Sequence, residues 1–70
     1  MMPLVFASAG ENNVIRRIGG TDEIRRHLNN LGFVVGGTVQ IVTRMGGNVI
    51  VNVKEARIAI DEAMARKILI

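Results

Sequence analysis

The sequence predicts a small, mainly β domain, a barrel of about five short antiparallel strands with one or two short helices. Three observations carry this. Between Thr38 and Ile60 the side chains alternate in three short runs, the period-two signature of half-buried strands. The connections between those runs, Gly46-Gly47-Asn48 among them, are too tight for anything but a meander. Finally, 49% apolar residues over 70 positions suit one packed domain rather than a disordered chain.

Taken in chain order, Met1 to Ala7 is apolar, lacks a basic leader and is too short for a secretory signal. Gly10-Glu11-Asn12 forms a turn, and Asn13 to Ile18 a strand. Its alternation is imperfect: Val14 and Ile18 suit one face while Ile15 falls on the other, which a bulge or an outer apolar patch would explain. Gly19-Gly20 ends the strand. Thr21 is placed to cap a helix over residues 22–31, with Asp22 and Glu23 where the helix dipole favours negative charge. Ile24, Leu28 and Leu31 give that helix one apolar stripe, and Gly32 is a left-handed C-cap.

Val34-Val35-Gly36-Gly37 leads into the meander. There Val39 and Ile41 point one way, Gln40 and Arg44 the other. Val49, Val51 and Val53 alternate with Ile50, Asn52 and Lys54, and Ile58 and Ile60 with Arg57 and Ala59. Asp61 caps a second, two-turn helix. Ile68-Leu69-Ile70 is a terminal strand that closes the sheet against the first.

Composition restricts function. A core this small supplies roughly 3–5 kcal/mol, and with no cysteine there is neither a disulfide nor a thiolate metal site. No apolar stretch approaches the ~20 residues of a spanning helix, so direct membrane insertion is not expected and a cytoplasmic location is. Seven arginines and two lysines against six acids give a net charge of +3. That is an ordinary solvated surface, or one suited to an acidic or phosphate-bearing partner, which arginine favours over lysine.

Catalytic constellations are absent from the sequence. His27 is the sole histidine, Ser8 the sole serine, and no glycine pair continues into a phosphate-binding loop. The chain is not expected to be an enzyme, and no cofactor is required. Glu23 and His27, one helical turn apart, are weak candidates for a divalent metal such as Fe2+, with Asp61 and Glu62 able in principle to join them. Nucleic-acid binding has basic material in Arg16, Arg17, Arg25, Arg26, Arg44, Lys54 and Arg57. It lacks stacking platforms, because there is no Trp or Tyr and Phe6 and Phe33 are both expected in the core.

Several signals stand in one order: Gly10 before the first strand, then a helix ending Leu28-Asn29-Asn30-Leu31-Gly32-Phe33, Gly36, and Thr38-Val39-Gln40-Ile41-Val42. Val51 to Lys54, Arg57-Ile58-Ala59-Ile60 and Ala65 to Ile70 follow. In this order the chain resembles the FeoA family, the small cytosolic component of bacterial ferrous iron uptake, over essentially its whole length. The resemblance implies an SH3-like barrel that binds and regulates FeoB, a membrane permease with a cytosolic G domain. The same fold serves as the C-terminal domain of iron-dependent repressors, so a metal-responsive regulatory domain is the alternative beside a basic nucleic-acid-binding barrel. Three positions and one loop depart from the family pattern: Val35 for a proline, Glu55 for a glycine, Met64 for a glutamate, and a shortened loop at residues 45–48.

A barrel without a cleft works through its surface. The expected docking residues are Val34, Val35 and Met45 as exposed apolar anchors, with Arg25, Arg26 and Arg44 as steering charges. Association with further copies of the chain is left open.

Overall fold

The computed structural model describes all 70 residues. A 3-10 turn over Leu4–Phe6 precedes strands β1 (Asn12–Val14) and β2 (Arg17–Ile18) and helix α1 (Asp22–Leu31). The meander β3 (Thr38–Met45), β4 (Asn48–Val53) and β5 (Ala56–Asp61) follows, then helix α2 (Glu62–Ala65) and strand β6 (Ile68–Leu69). Strands β1-β3-β4-β5 form one antiparallel sheet, and β2 pairs with β6 in a second, two-stranded one. Six strands thus replace the expected five, because the first predicted strand divides.

The division sits at Ile15-Arg16. Ile15 exchanges backbone hydrogen bonds with the turn before β3, donating to the Gly37 carbonyl and accepting from the Gly36 N–H at 2.8 and 2.7 Å. Beyond it the chain changes sheets to meet β6. This resolves the imperfect alternation and corrects its reading: Ile15 is fully buried, whereas Val14 is the exposed residue. No bulge in this strand is involved.

A bulge lies elsewhere. Ile41 opposes Val51 but Thr43 opposes Ile50, so Val42 is an extra residue in β3. Because sheet side chains alternate with period two, one inserted residue exchanges the faces. Arg44 is therefore opposite buried Val49, on the inward side with Val39 and Ile41, and not on the outer face as the alternation predicts.

Helix α1 has the expected bounds. Thr21 Oγ1 accepts from the Ile24 N–H at 3.2 Å, and Gly32 closes the helix at φ 112°. Its stripe meets a core of fifteen buried residues, all aliphatic except Phe33, and no buried side-chain polar atom lacks a partner. The N-terminal segment contributes Leu4, Val5 and Ala7 to that core. With about three residues per 3-10 turn, Leu4 and Ala7 fall on one side and Phe6 on another. Phe6 is consequently 64% exposed, which corrects the expectation that both phenylalanines are internal.

Candidate functional site

The barrel offers two open depressions, of about 130 and 410 Å³. Amides with Thr38, Lys54 and Glu55 surround the smaller; Met2, Val14, Ile70 and Arg16 border the larger. Neither joins a nucleophile to a base, so the chemistry available there is recognition through hydrogen bonds and apolar contact.

The candidate docking residues do not form one cluster. Val34, half-buried, accepts a hydrogen bond from the Gly37 N–H at 3.0 Å across a tight turn whose third residue, Gly36, has φ 88°. That is the sign pattern of a type II turn, with Val35 at the corner where proline is favoured. Val35 is 64% exposed, but Val34 is not the exposed anchor expected of it, since its side chain packs beside Gly37. Met45, 63% exposed, stands at the far end of β3. Seven residue-to-residue steps of strand lead from Thr38 to Met45, which places the two ends roughly 20 Å apart. Val35 and Met45 belong to different surfaces.

Among the arginines, Arg44 is engaged within the chain. Its guanidinium donates to the carbonyls of Val5 and Ala7, both at 2.7 Å. Arg25 pairs with Asp22 and donates to the Gly20 carbonyl at 3.2 Å, though nearly half its side chain remains exposed. Arg26 is exposed and makes no hydrogen bond or ion pair. Glu23 and His27 share a helix face as expected, yet no three His, Cys, Asp or Glu groups converge. Asp61 is instead engaged through Oδ1 as the cap of α2, accepting from the Met64 N–H at 2.7 Å.

The Arg44 contact assembles a site that sequence reasoning missed. By holding the carbonyls on either side of Phe6, it fixes that segment against the end of β3, one residue from Met45. Glu62 at the start of α2 donates to the Gly47 carbonyl at 3.0 Å and ties the hairpin tip to the same end. An exposed aromatic ring thus stands on a fixed segment at this end, while Met45, the next residue of β3, is exposed on the other face of the sheet from Arg44.

The FeoA domain family matches residues 2–70. A candidate Fe(2+) transport protein A from Methanocaldococcus jannaschii is 30% identical over the whole chain and 85% of its own length. A crystal structure of an iron uptake regulatory protein, FeoA, superposes with a TM-score of 0.87 at 28% identity, covering 96% of this chain and 89% of that one. Stenotrophomonas maltophilia FeoA, a prokaryotic SH3-domain protein complexed with zinc, gives 0.84 at 27% identity, covering 99% and 88%. A manganese-dependent transcriptional repressor shares the fold at 17% identity, with a TM-score of 0.84 over 94% of this chain and 38% of that one. With its SH3-like barrel and a family match that runs from residue 2 to the last, this chain belongs to the FeoA family.

Proposed function

We propose that this chain is a non-enzymatic, cytoplasmic accessory protein of ferrous iron transport that docks on the cytosolic G domain of a FeoB-type permease and regulates it. The family match over residues 2–70, with a transport-protein relative aligned along the entire chain, carries this reading. No helix is long and apolar enough to cross a membrane, which suits a part that acts on a permease from outside the bilayer.

Phe6 and Met45 are the anchors of this reading. A segment already held in place loses little backbone freedom on binding, and aromatic residues are prominent among the side chains that carry binding energy at protein interfaces. The unpaired Arg26 contributes to encounter rather than to the anchored contact. In titrations of the labelled chain with the G domain, Phe6→Asp together with Met45→Asp should weaken binding at least ~10-fold, with the thermal midpoint nearly unchanged. Val35→Asp, at the opposite end, should leave binding intact. Loss of binding with Val35→Asp alone would move the contact to the other end of the barrel.

A further inference from the structure

β5 is an open edge. It is last in the sheet order, six residues long, and its backbone makes no hydrogen bond with the turns and loops. Natural proteins shorten, cover or charge such edges because unpaired N–H and C=O groups attract another strand. The opposite edge, β1, has only three residues and ends at the sheet change. β5 carries charge at two outer-face positions, Arg57 and Asp61, separated by Ala59.

Which backbone groups face outward follows from the hairpin. Two residues, Lys54 and Glu55, close β4 to β5, so the flanking pair Val53 and Ala56 exchanges both of its backbone hydrogen bonds. Alternation then directs the polar groups of residues 56, 58 and 60 toward β4. Those of Arg57, Ala59 and Asp61 point to the free edge. Asp61 spends its carbonyl as the first acceptor of α2, which leaves its N–H available.

From this we infer that β5 pairs antiparallel with β5 of a second copy of the chain, the two-fold axis passing through Ala59. Registers centred on any residue from 57 to 61 match the outward groups, and centring on 58 or 60 sets Arg57 or Asp61 against Ala59 with no charge partner. Centring on 57 or 61 sets arginine against arginine or aspartate against aspartate. Centring on 59 sets each Arg57 against Asp61 of the other copy, and Ile58 against its Ile60. Arg57 has no ion-pair partner in its own chain, and Asp61 uses only Oδ1 for its cap. Four ladder hydrogen bonds result, two between the Ala59 residues and one from each Asp61 N–H to the Arg57 carbonyl opposite. Two four-stranded sheets become one of eight, an isologous dimer whose charge pattern is complementary to itself. The inference stands apart from any permease contact.

Sedimentation of the wild-type chain from ~10 µM to ~1 mM decides it, together with two variants. Ala59→Pro removes an outward N–H while sparing the β4 ladder, where an edge strand tolerates proline. Arg57→Glu replaces both attractive pairs with repulsive ones at an exposed side chain. The wild type should dimerise within that range, and each variant should raise the dissociation constant at least ~10-fold. Arg57→Glu should leave the melting temperature of dilute chain unchanged, so it decides alone if Ala59→Pro fails to fold. A wild type that stays monomeric overturns the inference, as does a dimer indifferent to Arg57→Glu. So does a monomer whose Ala59 amide responds only to an added foreign peptide.

Discussion

The two ends of this barrel are secured by different means. At one, Arg44 reaches from β3 and binds two backbone carbonyls of the N-terminal segment, while the adjoining hairpin turns on Gly46, at φ 58°, with Gly47 outside the left-handed region. That is the sign pattern of a type II′ turn, with glycine at the position that needs it. At the other end the β4–β5 hairpin turns on Lys54 and Glu55, at φ 47° and 64°. Both are left-handed and neither is glycine, although a type I′ turn favours Asn-Gly. One end is relaxed in its backbone and depends on a side chain. The other accepts backbone strain, and the reason lies in where it puts Lys54.

Arg44→Ala tests the first end and should have the largest effect. It removes two hydrogen bonds from a charged donor and leaves two carbonyls to find water. Because that surface is partly exposed, the cost should be about 1–2 kcal/mol rather than that of a buried pair. The loss should be local. Amide exchange at Phe6 and Ala7, whose N–H groups bond to Pro3 and Leu4, should accelerate more than exchange within β4. Uniform acceleration across both would mean that the N-terminal segment is not a separate unit, and the contrast between the ends would fail.

This contrast also separates what the sequence reveals from what it conceals. The Thr21 and Gly32 caps, the α1 stripe and the alternating valines of β4 are local signals, and the structure has them where the sequence puts them. The role of Arg44 depends on Val42, a bulge residue that no local pattern marks, because Val-Thr-Arg reads equally well as plain alternation. Phe6 is similar. Its exposure is set by a three-residue 3-10 turn whose buried neighbours pack against strands far away in the chain. The exposure of Val35 was legible because it belongs to a local turn; the placing of Phe6 was not, because it needs a contact across 37 and 39 positions.

At the strained end, Glu55→Gly should raise stability by about 1 kcal/mol. A non-glycine residue in the left-handed region costs roughly 1–2 kcal/mol, and part of that gain is returned as entropy of the unfolded glycine. Glu55 is exposed and makes no hydrogen bond or ion pair, so nothing else is lost. Chemical denaturation should show a higher midpoint with an unchanged slope. A lower midpoint would place Glu55 in an interaction the fold depends on.

Lys54→Gly should change stability least, although it relieves the same kind of strain. The left-handed backbone lays the Lys54 stem over the end of α1: a Cβ at Gly32 would stand 3.6 Å from Lys54 Cδ and 3.8 Å from its Cγ. Helix α1 has no basic residue in its own last turn, so Lys54 brings the only cation from this hairpin to that terminus. A cation there contributes roughly 0.3–1 kcal/mol, and the stem lying against Gly32 adds apolar contact. These gains nearly offset the relief, and the net change should fall within about 0.5 kcal/mol of zero. The two glycine variants therefore diverge although their φ values are alike. Raising the salt concentration should narrow the gap between them, since only the Lys54 contribution is screened. Equal gains from both substitutions would show that Lys54 does nothing for α1, and that the strain at this end is simply tolerated.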